Sequence, residues 1–144
     1  MRILVLNGPN LGRLGSREPD VYGSAGLDEV ERAVASIGPE IEVDLRQTDS
    51  EAELVHWIHE AVDAQTPVVL NPAAFTHYSY ALRDACAMVT KAGIPLVEVH
   101  ITNPHARETF RHTSTISGVA TGVVAGFGID GYRLAALAIL ARAA

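Results

Sequence analysis

Five short apolar runs separated by helical patterns are the feature that most limits how this chain can fold. The runs cover residues 3–6, 41–45, 68–70, 96–99 and 119–125, and most are continuous rather than alternating. A continuous apolar run of this length is typical of a strand that is covered on both faces. Because such strands alternate here with helices, the sequence predicts an α/β fold with a parallel sheet.

Apolar residues at spacings of three and four predict the helices between these strands. The two clearest stripes are Leu27, Val30, Val34 and Ile37, and then Leu54, Ile58 and Val62. Ser50 and Glu53 match a capping box at the start of the second stripe, and Gly93 indicates a helix end before the fourth strand. A last helix is predicted over residues 129–142, and no helical pattern begins before the first stripe.

The length of the chain, 144 residues of which 48% are hydrophobic, fits one domain with a substantial core. We therefore expect residues 1–144 to form a single domain. At this length the pattern predicts a flavodoxin-like, doubly wound, five-stranded parallel sheet with strand order 2-1-3-4-5. Ligands of such sheets bind beyond the carboxyl ends of the strands, at the switch point between the first and third strands.

Composition excludes several classes of function. The formal charge is −6 and the basic residues form no stripe, which argues against a nucleic-acid partner. No targeting segment or long apolar stretch is visible, so we expect a cytoplasmic protein without a membrane partner. The single cysteine, Cys86, excludes an internal disulfide framework, and its alanine-rich helical context favours a buried thiol.

Polar side chains follow three of the predicted strands at the point where each strand ends. They are Asn10, Arg17 and Tyr22 after the first strand, Asn71 and His77 after the third, and Glu98, His100, Thr102 and Asn103 at the end of the fourth. Because the carboxyl ends of these strands meet at the switch point, the polar residues are predicted to converge on one crevice.

The connection after the first strand, residues 8–23, is unusually long. Strand-to-helix loops commonly take ~2–6 residues, and much longer ones are often active-site lids. Tyr22 near Arg17 and Arg13 could act as a general base, since a neighbouring cation favours the phenolate. Alternatively, the ring of Tyr22 packs at the end of the loop and the arginines lie in solvent.

The stretch VEVHITN, residues 97–103, places Glu98 and His100 on the same face of a strand. A carboxylate can orient the imidazole, which can then deliver a proton to a leaving hydroxyl. Alternatively, His100 is a hydrogen-bonded residue at a strand end. Asn71 and His77 flank a loop that leads into a helix, where they suit a hydroxylated carboxylate ligand or serve as turn and cap residues.

Two further patterns are weaker. The stretch GFGIDG, residues 126–131, matches a dinucleotide-binding fingerprint, but it precedes the last helix, so we interpret its glycines as turn residues. His56 and His59 lie off the apolar stripe of their helix, which favours solvent exposure over metal binding. No histidine spacing typical of a zinc site occurs, and we assign no metal.

Four blocks together resemble the type II 3-dehydroquinate dehydratases, or type II dehydroquinases. They are NGPNLGRLGSREPDVYG at 7–23, NPAAFTHYSYALRDA at 71–85, VEVHITNPHARETFR at 97–111 and GFGIDGYRLA from 126. The resemblance covers nearly the whole chain. It implies a flavodoxin-like fold and cofactor-free dehydration of 3-dehydroquinate to 3-dehydroshikimate by anti elimination through an enolate, in the shikimate pathway or in quinate catabolism.

The resemblance also implies which residues carry the reaction. Tyr22 would remove the proton beside the ketone, and Arg17 would keep Tyr22 ionised. Asn10 would hold the water that stabilises the enolate. His100, oriented by Glu98, would protonate the departing hydroxyl.

Substrate binding is implied for a second set of residues. Asn71 and the backbone amides of Ile101 and Thr102 would hold the substrate carboxylate, while His77 and Arg111 would bind ring hydroxyls. In the family, an aspartate at the position of Asp84 reaches the site of a neighbouring subunit, and trimers assemble into a dodecamer.

The chain departs from the common family pattern at two places. In QTDSEAEL, residues 47–54, Asp49 and Ala52 replace an asparagine and a glycine, which puts the local turn and its contacts in doubt. Thr102 stands where serine is commoner, a mild change if the backbone amide binds the ligand. The main alternative function is a flavodoxin-like module that binds a flavin or a nucleotide without catalysing elimination; a scaffold protein ranks below it.

Overall fold

Five parallel strands form one sheet in the order β2-β1-β3-β4-β5. They are β1 (Arg2–Asn7), β2 (Glu42–Gln47), β3 (Val68–Asn71), β4 (Leu96–His100) and β5 (Gly122–Ala125). This computed structural model describes residues 1–16, 18–22 and 25–143. The predicted α/β fold and the strand order 2-1-3-4-5 are both confirmed.

In the described part of the chain, five α-helices connect and flank the strands. They are α1 (Pro19–Tyr22), α2 (Leu27–Ala35), α3 (Glu51–Ala64), α4 (Tyr80–Lys91) and α5 (Asp130–Ala143). The predicted cap at α3 is present, since the hydroxyl of Ser50 accepts a hydrogen bond from the amide of Glu53 at 3.2 Å. None of the helices in the described part of the chain has the length and apolar character needed to cross a bilayer.

The core has two layers, one on each face of the sheet. Ile3 and Val5 of β1 pack with α2 and α5, whereas Leu4 and Leu6 pack with α3 and α4. Successive side chains of a strand point to opposite faces, and here both faces are covered by helices. This explains why the apolar runs in the sequence are continuous.

Two element boundaries differ from the sequence prediction. The strand predicted over residues 119–125 begins only at Gly122, because the amides of Val119 and Ala120 bond to the carbonyl of Ile116 in a turn. The expectation that no helix begins before Leu27 is wrong, since α1 forms one turn ending at Tyr22. A helix of one turn is too short to show a repeat of apolar residues.

A close backbone contact joins the loops that follow β1 and β3. The amide of Gly8 donates to the carbonyl of Asn71 at 2.8 Å. A β-carbon at Gly8 would lie 2.6 Å from the carbonyl oxygen of Pro72, so only glycine allows this approach. The contact holds the start of the 8–23 loop against the residues that follow β3.

Candidate active site

A cleft of about 550 Å³ opens to solvent at the carboxyl edge of the sheet, beyond β1, β3 and β4. Eight of the predicted site residues line it: Asn10, Tyr22, Asn71, His77, His100, Ile101, Thr102 and Arg111. The cleft lies at the switch point of the sheet, where ligands of such folds bind. The structure therefore brings most of the predicted polar residues to one place.

Glu98 and His100 form a close pair on β4. The Nε2 atom of His100 lies 2.5 Å from Oε2 of Glu98. An ionised carboxylate only accepts hydrogen bonds, so Nε2 carries the proton of this contact. The Nδ1 atom on the other side of the ring is then the nitrogen that remains for a ligand in the cleft.

Glu98 is fully buried, and three hydroxyl groups surround its carboxylate. Thr76 donates to Oε2 at 2.6 Å, Ser117 donates to Oε1 at 2.5 Å, and the hydroxyl of Ser114 lies within 3.3 Å of both oxygens. We call these three residues the hydroxyl cradle. Burial alone would raise the pKa of Glu98, but the hydrogen bond and charge of His100, together with the hydrogen bonds from Ser117 and Thr76, outweigh it and lower the pKa below the ordinary range.

Arg107 is a residue of the cleft that was not predicted from the sequence. Its guanidinium carbon lies 5.2 Å from the ring centroid of Tyr22, the last residue of α1. The same guanidinium donates to the hydroxyl of Thr102 at 3.1 Å. A guanidinium in this position is attracted to the face of the aromatic ring as in a cation–π interaction.

The sequence does not distinguish Arg107 from a second arginine nearby. Two arginines, Arg107 and Arg111, stand four residues apart in the block 97–111, and only Arg111 was singled out. Tyr22 and Arg107 are 85 positions apart in the chain. Nothing in local spacing indicates that they meet.

Asn71 is buried at the end of β3, and its side chain is held from two sides. Its Oδ1 accepts from the amide of Ala73 at 3.1 Å, and its Nδ2 donates to the hydroxyl of Tyr132 at 2.8 Å. One Nδ2 hydrogen remains for a ligand. Tyr132 belongs to the last helix and was not predicted to take part in the site.

The segment after β4 supplies backbone donors. Ile101 and Thr102 line the cleft, and their amides donate no hydrogen bond to any other described residue. Two adjacent backbone amides without protein partners are suited to bind a carboxylate. The side chain of Thr102 is engaged with Arg107, so its change from serine leaves the amide unaffected.

His77 and Arg111 lie together on the far side of the cleft. The Nδ1 atom of His77 lies 2.8 Å from the carbonyl of Thr113, which can only accept, so Nε2 is the acceptor of the neutral ring. Burial lowers the pKa of His77, the nearby charge of Arg111 lowers it further, and the bond to Thr113 opposes both. A neutral His77 can accept a hydrogen bond from a ligand hydroxyl.

Asn10 lies at the start of the long loop with its backbone in the left-handed region, at φ 70°. The amide of Asn10 donates to Oδ1 of Asp49 at 2.8 Å, and Gln47 also donates to this oxygen at 3.1 Å. The departure at Asp49 therefore keeps an acceptor for the loop. Ala52 lies in the first turn of α3, where no glycine is needed.

Two predicted residues do not line the cleft of their own chain, and a third lies outside the described residues. Glu98 lies behind His100. Asp84 lies on the exposed side of α4, where it pairs with Arg83 at 2.9 Å. Arg17 falls outside the described part of the chain.

The weaker sequence patterns have structural explanations. Gly126 and Gly128 have φ values of 94° and 62° in the turn between β5 and α5, as expected of turn glycines. Within residues 1–16, 18–22 and 25–143, no group of three or more potential ligands could hold a metal ion. Cys86 is buried, which raises the pKa of its thiol to about 12.

Comparison with known proteins identifies the family. The family model described as dehydroquinase class II matches residues 1–140. The chain belongs to the class II dehydroquinase family. The resemblance drawn from the four sequence blocks is thereby confirmed.

Named relatives and solved structures agree with this membership. A protein named 3-dehydroquinate dehydratase from Kineococcus radiotolerans is 63% identical over 137 residues, which cover 94% of this chain and 92% of the relative. One of the same name from Salinispora arenicola is 57% identical over 144 residues, with 99% of both chains covered. The solved structure of the type II dehydroquinase from Propionibacterium acnes superposes with a TM-score of 0.91 and is 48% identical in sequence. The match covers 97% of this chain and 96% of the solved chain.

Proposed function

We propose that this enzyme dehydrates 3-dehydroquinate to 3-dehydroshikimate by anti elimination through an enolate, without a cofactor. The observation that carries the proposal is the shared cleft: Tyr22 with Arg107 beside its ring, and His100 backed by buried Glu98, line the same cavity in a class II dehydroquinase. This family membership does not favour the alternative of a flavin- or nucleotide-binding module.

The first step is removal of a proton from the carbon beside the ketone. The oxygen of ionised Tyr22 takes the proton, and the electrons of the broken C–H bond move into an enolate. Arg107 next to the ring, together with Arg17, would keep Tyr22 ionised. Asn10 would hold the water that donates a hydrogen bond to the enolate oxygen.

The second step is loss of the hydroxyl group. The enolate electrons form the new carbon–carbon double bond as the C–O bond breaks, and His100 gives its proton to the departing oxygen, which leaves as water. Glu98 accepts from Nε2 and stabilises the charged ring before the transfer. This orientation leaves Nδ1 of His100 as the atom that delivers the proton.

Binding of the substrate carboxylate would fall to Asn71 and to the amides of Ile101 and Thr102. The remaining Nδ2 hydrogen of Asn71 and two backbone amides that have no hydrogen-bond acceptor among the described residues support this assignment. His77 would accept a hydrogen bond from one ring hydroxyl through Nε2, and Arg111 would donate to another.

We also propose that the enzyme works as an oligomer in which Asp84 reaches a neighbouring subunit, with a dodecamer of four trimers as the expected assembly. Tyr80, Asp84 and Met88 are four residues apart and share one face of α4. Tyr80 is 74% exposed and Met88 47% exposed, which is unusual for such large apolar side chains. Light scattering should report a mass far above 15.3 kDa; a monomer with full activity would contradict this assembly but not the chemistry.

The direct test is product formation. The purified enzyme is mixed with 3-dehydroquinate, and the ultraviolet absorbance of the conjugated enone product is followed. Tyr22→Phe serves as the matched variant and should lose ~10²- to 10⁴-fold in turnover, the range typical of a general base. No absorbance change at micromolar wild-type enzyme would contradict the proposed reaction.

A further inference from the structure

A chain of hydrogen bonds runs beneath the cleft, from β2 to the residues that follow β3. The Nδ2 of Asn7 donates to the carbonyl of Arg46 at 3.1 Å, and the hydroxyl of Tyr132 donates to Oδ1 of Asn7 at 2.7 Å. The Nδ2 of Asn71 donates to the Tyr132 oxygen at 2.8 Å, and the amide of Ala73 donates to Oδ1 of Asn71 at 3.1 Å.

The direction of every bond in this chain is fixed by its two ends. The carbonyl of Arg46 can only accept, so the group of Asn7 that faces it must be the NH₂ group. The Oδ1 of Asn7 then takes the single proton of Tyr132. At the other end, the amide of Ala73 can only donate, so it must face Oδ1 of Asn71. Both ends therefore require that Nδ2 of Asn71 faces the oxygen of Tyr132.

The chain is sealed from solvent. Asn7 and Tyr132 are fully buried, and Asn71 is only 3% exposed. A buried polar group that loses its partner is costly, so these orientations are held firmly. Burial raises the pKa of the Tyr132 hydroxyl, against the opposing effect of the Asn71 bond, so the hydroxyl keeps its proton at neutral pH.

We infer that Tyr132 is a positioning residue for substrate binding: it fixes the Asn71 amide so that the second Nδ2 hydrogen serves the cleft. The reversed amide would present Oδ1 to a ligand carboxylate and repel it. The inference rests on the proposed function, which assigns the substrate carboxylate to Asn71. It links the last helix of the chain, 61 positions away, to ligand binding.

Tyr132→Phe tests the inference because it removes only the hydroxyl. The bond from Ala73 still restrains Asn71, so the loss should be partial. We expect KM for 3-dehydroquinate to rise ~3- to 10-fold, the effect of losing one neutral hydrogen bond, while kcat changes less than ~3-fold.

A double-mutant cycle separates positioning from general damage. In the Asn71→Ala background, Tyr132→Phe should add no further rise in KM, because the group that Tyr132 orients is gone. If the KM increases of the two single variants multiply in the double variant, the inference is overturned. Ile139→Val is the matched control: it weakens the packing of the same helix without changing any hydrogen-bonding group, and should leave KM unchanged.

A second variant keeps the test decisive if Tyr132→Phe does not fold. Asn7→Ala removes the acceptor of the Tyr132 proton, so that the hydroxyl can turn its proton toward Asn71 and favour the reversed amide. KM should rise here as well. An unchanged KM in whichever of the two variants folds overturns the inference and leaves the proposed function intact, whereas a wild-type enzyme that forms no enone contradicts the proposed function itself.

Discussion

The Nε2 atom of His100 lies 2.5 Å from Oε2 of Glu98, whose side chain is fully buried. The rest of the carboxylate is bound by the hydroxyl cradle of Thr76, Ser114 and Ser117. His100, Thr76 and Ser117 each donate a hydrogen bond to this carboxylate. Such a site holds an ionised carboxylate in one orientation and, through it, holds the imidazole ring of His100 against the cleft.

Replacing Glu98 by glutamine keeps the size of the side chain but removes the charge and adds donors to a site that already supplies three donors. We expect kcat of Glu98→Gln to fall ~10- to 100-fold, the usual effect of losing a hydrogen bond to a charged group. KM should change much less, because Glu98 lies behind His100 and does not line the cleft. Glu31→Gln, an exposed site on α2, is the control and should behave as wild type; equal kcat in both variants would refute the role of Glu98.

The lowered pKa of Glu98 predicts a specific dependence of stability on pH. Since the folded-state pKa lies below the ordinary value of 4.5, the ionised carboxylate stabilises the fold fully above pH 4.5. That contribution is lost as the pH falls from 4.5 through the folded-state value. Urea unfolding should give a free-energy difference between wild type and Glu98→Gln that shrinks over this window. A difference that stays constant down to pH 3 contradicts the assignment.

Arg107 lies against the ring of Tyr22, and its removal should impair the base. We expect Arg107→Ala to lower turnover ~10- to 100-fold, in the range of a lost interaction with a charged group. Arg133→Ala, which removes a surface partner of Asp130 on α5, is the control. Wild-type turnover in Arg107→Ala would mean that the contact of Arg107 with the Tyr22 ring is only structural.

The acceptor provided by Asp49 should matter more than its charge. Asp49 binds the amide of Asn10, whose left-handed backbone needs support. Asp49→Ala should lower kcat ~2- to 10-fold, as expected for one lost hydrogen bond, whereas Asp49→Asn keeps an oxygen acceptor and should restore wild-type turnover. If turnover of Asp49→Asn is as low as that of Asp49→Ala, the loop requires the negative charge and not the acceptor.

The sheet and its order could be predicted from the sequence because both faces of β1 are covered, which produces unbroken apolar runs. The convergence of Asn71 and His100 followed from the same rule, since parallel strands end at one edge. The contact between Arg107 and Tyr22 and the bond between Tyr132 and Asn71 could not be predicted. Each joins residues far apart in the chain through side-chain geometry that no local spacing encodes.

Short elements were also beyond the sequence pattern. The single turn of α1 carries Tyr22, yet four residues cannot display a helical repeat. The last strand, β5, forms one edge of the sheet, and β4 is its neighbour. Residues 119–121 are mostly apolar, but Val119 bonds within a turn, so hydrophobicity alone overestimated the strand.

Chelation should leave activity unchanged. The proton is removed from a carbon that the ketone already acidifies, and the arginines and a bound water are sufficient to stabilise the charge, so the mechanism calls for no metal. Turnover is measured before and after prolonged treatment with EDTA. A loss that one divalent ion restores would mean that histidines of the cleft bind a metal.

The stereochemistry of the reaction shows directly whether Tyr22 and His100 act on opposite faces of one substrate. Two samples of 3-dehydroquinate are prepared, each with deuterium at one of the two positions on the carbon beside the ketone, and the product is analysed by mass spectrometry. We predict that deuterium anti to the departing hydroxyl is lost and that deuterium syn to it is retained. Loss of the syn deuterium would show that Tyr22 and His100 do not act on opposite faces of the substrate.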